Sequence, residues 1–208
     1  MFEAAIFDLD GTLIDSESRT HAADIEAFAA FGIDIDPVFL HGLVGVDDQT
    51  GGRLIQARFP ELDMGAFQAV WRDAVARNWA QGLPLKHGAL DILGQLAIPK
   101  ALATSSTREH ADLKLRLTGL GVYFDNVVTV DDVTAPKPAP EPYLMAASLL
   151  GVDPARCIAF EDSETGARSA HAAGMTVVQV PDFVPATGDF AHYVATDLLS
   201  GARAAGLI

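Results

Sequence analysis

The sequence predicts an α/β protein: a Rossmann-like parallel sheet with helices on both faces and a helical insertion after the first strand. Three observations lead there. Apolar runs of strand length recur at Ala4-Ala5-Ile6-Phe7, Ala101-Leu102-Ala103-Thr104, Asn126-Val127-Val128-Thr129-Val130, Cys157-Ile158-Ala159-Phe160 and Thr176-Val177-Val178-Gln179-Val180. Segments of helical spacing separate the later runs, and such alternation makes the strands parallel with right-handed crossovers. Residues 15–84 show helical spacing and no strand pattern at all.

Taken in order, the first strand stops at Asp8, where polarity begins. Asp15 or Ser16 can cap the next helix, with Glu17-Ser18-Arg19 in its first turn. Ala22, Ile25, Phe28 and Ala29 recur at helical spacing up to Gly32. Asp36-Pro37 opens a short helix, another covers 48–59, and Phe67, Val70, Trp71, Ala74 and Val75 mark a longer one closing near Gly82-Leu83-Pro84. Helices at 88–96, 108–118, 140–150 and 163–173 then alternate with the later strands. Pro140 suits a first helical turn, Ser163 caps and Gly174 closes. A loop follows Pro181, and a terminal helix is expected over 196–205, with no internal repeat or low-complexity segment anywhere.

The 208 residues can bury one sizeable α/β domain and a modest insertion. A hydrophobic content of 50% with 20% charged residues fits a globular protein rather than a disordered one. The net charge of −14 repels nucleic acid and anionic membrane, so neither is an expected partner. An anionic substrate would need a local device, such as a metal ion and a lysine. The one cysteine, Cys157, excludes an internal disulfide and sits in an apolar run as a core residue. No apolar run reaches membrane-spanning length and no basic leader precedes the first strand, so a cytoplasmic protein is expected.

In an open α/β sheet, chemistry collects beyond the carboxyl ends of the strands. Four polar clusters fall there. Asp8-Leu9-Asp10-Gly11-Thr12 follows the first strand. Carboxylates at i and i+2 share one side of an extended chain and repel unless a cation joins them. Aspartates and carbonyls suit Mg²⁺, which keeps waters and also takes phosphate oxygens. Thr104-Ser105-Ser106 follows the second strand and opens a helix, whose first N–H groups favour anions. Lys137 lies in Ala135-Pro136-Lys137-Pro138-Ala139-Pro140, where three prolines stiffen the chain around one ammonium. Glu161-Asp162 leaves the fourth strand and can complete a cation's ligand set. Each cluster alone has an ordinary alternative: a turn carrying two acids, a helix cap, a solvated lysine, acids at a helix N-terminus.

In this order and spacing the four together resemble the haloacid dehalogenase-like hydrolase superfamily. Within it, the chain is similar to the β-phosphoglucomutase and sugar-phosphatase branch, whose helical cap follows strand one. The resemblance covers essentially the whole chain, and the runs KPAPEPY (137–143) and FEDSETGARSAHAAGM (160–175) are close to that branch's wording. It implies a core of residues 1–14 and 85–208, a cap of 15–84 that closes as a lid, and hinges near 13–15 and 82–86. It also implies roles. Asp8 is the nucleophile and forms an aspartyl-phosphate; Asp10 is the general acid and then the base. Asp8, the main-chain carbonyl of Asp10 and Asp162 hold Mg²⁺, with Glu161 one layer out on a metal-bound water. Thr104, the Ser105 N–H and Lys137 bind the transferring phosphoryl group. The implied activity is that of a Mg²⁺-dependent phosphatase on a small phosphomonoester, a sugar or sugar-acid phosphate.

The chain departs from the mutase pattern in its insertion. Gly45-Val46-Asp47-Asp48 stands where the mutases carry a basic residue, so a valine and two acids there would repel a second phosphate rather than bind it; Val46 and Asp47 are the candidate specificity positions. Thr107 replaces a lysine, with Arg108 beside it as candidate substitute. His21 is one position beyond the branch's cap histidine, about 100° round the helix, and reads as an ordinary, partly exposed residue; Arg19 is the neighbour that could face the site instead. A β-phosphoglucomutase-like mutase is the rival enzyme, and the acidic loop argues against it. A dehalogenase would need neither Asp10 nor a metal. A non-catalytic binding protein would usually have lost a catalytic residue, and none is missing. A monomer or weak dimer is expected.

Overall fold

The computed structural model describes residues 1–43 and 48–208. Contacts divide the chain into two compact units, Met1–Asp15 with Pro84–Ile208, and Ser16–Leu83.

The larger unit is built on six parallel strands: β1 (Ala4–Phe7), β2 (Lys100–Ala103), β3 (Asn126–Val128), β4 (Cys157–Glu161), β5 (Thr176–Gln179) and β6 (Tyr193–Val194), in the order β3-β2-β1-β4-β5-β6. The chain winds outward from β1 in both directions, so β1 stands at the switch point where such sheets place their ligands. Central strands buried on both faces read as continuous apolar runs rather than alternating ones, and β1 and β4 have no exposed residue. One face of the sheet presents small side chains: Ala4, Ile6, Ala101, Ala103, Cys157, Ala159 and Val177. Against them pack Tyr143, Ala146 and Ala147 of α7 (Glu141–Leu150) and Ala167 and Ala170 of α8 (Glu164–Ala172). The opposite face carries Phe7 stacked on Phe160 with ring centres 4.8 Å apart, and Val178 against Gly201 of α9 (Leu198–Ala204). The remaining helices of this unit are α5 (Ala89–Gln95) and α6 (Arg108–Thr118).

Among the strands, two details differ from the sequence reading by more than one residue. The third strand stops at Val128 instead of Val130, because the Thr129 N–H and hydroxyl both donate to Asp132 at 2.7 Å and wind the chain into a tight turn. The sixth strand was not foreseen: it has two exposed residues, too few for any alternation to show.

The segments that enter and leave the helical unit pair antiparallel. The Asp15 N–H donates to the Pro84 carbonyl at 2.8 Å, and the Lys86 N–H to the Leu13 carbonyl at 2.9 Å.

The smaller unit holds α1 (Glu17–Ala30), α2 (Pro37–His41), α3 (Asp48–Arg58) and α4 (Met64–Ala80). Its core gathers Ala27, Phe28, Ile35, Leu40 and Phe67, with the Phe28 and Phe67 rings 4.7 Å apart. Here the helical stripe is turned from the expected one. Ala23, Ala27 and Phe28 are buried, whereas Ala22, Ile25 and Ala29 face outward. The Trp71 indole N–H donates to Asp24 at 2.6 Å and fixes α1 against α4 in that phase. No helix among the described residues is long and apolar enough to cross a membrane.

Candidate active site

Register brings the first and last acidic motifs together. Phe7 lies opposite Phe160, and the Asp8 N–H donates to the Phe160 carbonyl at 2.9 Å. Asp8, Glu161 and Asp162 therefore leave the sheet side by side, and each can offer one carboxylate oxygen such that all three oxygens lie within 4.8 Å of one another. Gly11 adopts φ +80, and a Cβ there would collide with the Asp162 carboxylate. Only glycine gives both the turn and the close approach. Thr12, buried, donates its hydroxyl to Asp162 at 3.4 Å, and the Gln179 amide donates to the Asp162 carbonyl at 3.3 Å.

Lys137 enters from the loop between β3 and α7. Glu141, in the first turn of α7, anchors that loop by accepting from the Thr134 and Ala135 N–H groups at 3.0 and 2.7 Å. The Lys137 ammonium donates to Asp8 at 2.7 Å and to Glu161 at 2.5 Å, with its side chain only 4% exposed. Glu161 is the most crowded of the acids. Its Oε1 also accepts from the Tyr143 hydroxyl at 2.6 Å, its Oε2 from Ser163 at 3.3 Å, and Gly166 leaves room beneath it where a Cβ would clash.

The second strand contributes a separate set. Leu102 lies opposite Phe7, so Thr104 emerges beside β1, and its buried hydroxyl accepts from the Ser106 N–H at 3.1 Å. The Ser106 hydroxyl donates to Asp10 Oδ2 at 2.8 Å. Lys114 of α6 donates to Asp10 Oδ1 at 2.6 Å and to Ser106 Oγ at 2.8 Å.

The charges are unbalanced. Lys137 bonds two of the three carboxylates, and with all three ionised a divalent cation would cancel the two charges left over. Burial pushes the Asp8 carboxyl up to about 7 against the pull of Lys137, with Glu161 and Asp10 adding to the rise. Burial, then Asp8 and Glu161, lift Asp162 well above the usual carboxylate range. The same two acids overcome burial at Lys137 and raise its ammonium, which stays charged. Such a donor set, all hard oxygens, fits Mg²⁺ or a similar ion.

Asp8, Glu161, Asp162 and Lys137 thus meet in one cluster, while Thr104 and Ser105 follow the end of the neighbouring β2, and Asp10, beyond β1, is tied to that turn through Ser106. Arg108 does not join them. Its guanidinium donates to Asp132 at 2.6 Å and to the Val127 carbonyl at 2.8 Å, so the position expected to read substrate is tied back to the β3 turn. Val46 and Asp47 lie outside the described residues. Lys114, Ser106 and Tyr143 were not singled out from sequence. Lys114 is flanked by Leu113 and Leu115 in an alternating run, which hides that it shares the buried stripe of α6 with Ala111 and Leu115.

A doubly wound sheet with carboxylates and a lysine converging beyond the end of its first strand defines a class of α/β enzyme that handles anionic groups, here with an acidic cluster that could hold a metal ion. The chain belongs to the haloacid dehalogenase-like hydrolase family, whose profile matches residues 2–174. The fructose-1-phosphate phosphatase YqaB of Escherichia coli is 32% identical over 86% of this chain and 96% of its own length. A phosphorylated carbohydrates phosphatase of Thermotoga maritima is 31% identical over 83% of this chain and 82% of its own. The crystal structure of CbbY from Rhodobacter sphaeroides in complex with phosphate superposes with a TM-score of 0.78 at 30% identity, covering 100% of this chain and 99% of that one.

Proposed function

We propose that the chain is a Mg²⁺-dependent phosphatase that hydrolyses a small sugar or sugar-acid phosphate through a phosphoryl group carried on Asp8. The observation that carries this reading is the meeting of Asp8, Asp162 and Lys137 beyond the carboxyl ends of β1 and β4. Asp8 attacks phosphorus as a carboxylate, and Lys137 holds it and a phosphoryl oxygen in one place. Thr104 and the Ser105 N–H complete the phosphoryl cradle in the turn between β2 and α6. Asp10 protonates the departing alcohol and then takes a proton from the water that attacks the Asp8 phosphate. Asp8, Asp162 and the Asp10 carbonyl would hold the ion, which supplies charge compensation for the transferring group. Glu161, with its oxygens given to Lys137, Tyr143 and Ser163, stands one layer out and orients those groups. Residues 15–84 are read as the cap of this branch, and residues 1–14 and 85–208 as its catalytic core.

The sugar-phosphatase names of the two relatives support the substrate class, and the acidic stretch Gly45-Val46-Asp47-Asp48 argues against a bisphosphate-using mutase. The reading includes a cytoplasmic location, a monomer or weak dimer, and no nucleic-acid partner, in keeping with the net charge of −14. A phosphate-release screen over phosphorylated metabolites with Mg²⁺ tests it. Turnover of a sugar phosphate that stops with EDTA is expected. Silence across the panel, or turnover indifferent to EDTA, would overturn it.

A further inference from the structure

We infer that Lys114 and Ser106 are positioning residues that clamp the Asp10 carboxyl group in the orientation from which, protonated on a remaining lone pair, it delivers that proton to the leaving alcohol. This rests on the phosphatase reading and on Asp10 as its acid and base.

Three bonds close a ring. Lys114 Nζ donates to Asp10 Oδ1 at 2.6 Å, Ser106 Oγ donates to Asp10 Oδ2 at 2.8 Å, and Lys114 donates to Ser106 Oγ at 2.8 Å. Both oxygens of Asp10 are thereby held by two elements distant in sequence, the turn after β2 and the middle of α6. A carboxylate has about four acceptor sites, so two donors fix its plane without using up its capacity. The fold alone gives no reason for an ammonium here. Lys114 is 5% exposed and shares the buried stripe of α6 with Ala111 and Leu115. Replacing a buried ion pair with apolar residues of similar size is often neutral or stabilising, so a leucine or methionine would serve the helix as well. What the ammonium adds is a fixed direction for Asp10. General acid catalysis depends on that direction, because the proton must lie on the line to the departing oxygen.

The test separates leaving groups. An alkoxide leaves only with a proton, whereas p-nitrophenolate leaves without one. Wild type, Lys114→Met and Ser106→Ala are each mixed in single turnover with p-nitrophenyl phosphate and with a sugar phosphate from the screen. Release of the alcohol or phenol, rather than steady-state turnover, is timed. Lys114→Met should slow release of the sugar by about 30-fold or more, within the range ascribed to general acids. Release of p-nitrophenolate should slow by less than about threefold, and the enzyme concentration that gives half-maximal single-turnover release should stay within a similar factor. Ser106→Ala should show the same selectivity more weakly, and it guards against a Lys114 variant that folds poorly. Equal slowing of both substrates, or none, in a folded variant overturns the clamp and leaves the phosphatase reading standing. A wild type that hydrolyses neither substrate takes both down.

Discussion

The ammonium of Lys137 stands 2.7 Å from an oxygen of Asp8 and 2.5 Å from an oxygen of Glu161, one cation between two buried acids. Asp8 comes from the end of β1, Glu161 from the end of β4 and Lys137 from a proline-stiffened loop. The lysine thus joins three segments that lie far apart in the chain.

Removing that cation should have a double effect. Lys137→Met leaves Asp8 and Glu161 facing each other unpaired, and breaking a buried pair costs about 3–5 kcal/mol. Partial protonation of Asp8, already pushed up to about 7, holds the loss to the lower end. Activity should fall by about 100-fold or more. Thermal melts with and without Mg²⁺ check the first part, since the ion should restore some of the lost stability. An unchanged melting temperature would contradict it.

Gly166→Ala should destabilise the protein even though alanine favours a helix by about 1 kcal/mol over glycine. The new methyl would collide with the Glu161 carboxylate and push it away from Lys137 and Tyr143. Denaturant unfolding measures the balance. A net gain in stability would mean that Glu161 has room to move.

Cys157 should be inert in the native state. Burial pushes its thiol up to about 11, with the charges of Asp153 and Glu3 adding to the rise. At pH 8 the native thiolate is then about one molecule in a thousand. Ellman's reagent should react only after unfolding, and faster as pH climbs toward 11. Rapid stoichiometric labelling at pH 8 would contradict this.

How much of this could be read from the chain follows from the residues themselves. β1, β2, β4 and β5 announce themselves as apolar runs because both faces of a central strand are buried, and Asp8, Thr104 and Glu161-Asp162 announce themselves because polarity begins where those runs end. Tertiary phase was hidden. The composition of α1 allowed either Ala22 with Ile25 or Ala23 with Ala27 to face inward, and the Asp24–Trp71 bond between separate helices decided for the latter. Lys114 was hidden for the same reason, since its meeting with Asp10 spans 104 residues and leaves no local trace. Arg108 looked available in sequence, but Asp132 pairs with it across the β3 turn.

Asp162→Ala should raise the Mg²⁺ concentration for half-maximal activity by about tenfold or more. It removes one of the three clustered acids while leaving Asp8 with Lys137. A Mg²⁺ titration that superposes on the wild type would take Asp162 out of the ligand set.

The most direct measurement is to catch the phosphoryl group on the enzyme. Protein mixed with a labelled sugar phosphate and Mg²⁺ is quenched in acid within one turnover, digested and mapped. A hydroxylamine-sensitive acyl phosphate should be found on the peptide that carries Asp8, and Asp8→Asn should lose both the label and the activity while keeping its fold. Label on another residue, or an Asp8→Asn protein that retains more than a few per cent of turnover, would contradict the assignment of Asp8 as the group that takes the phosphoryl.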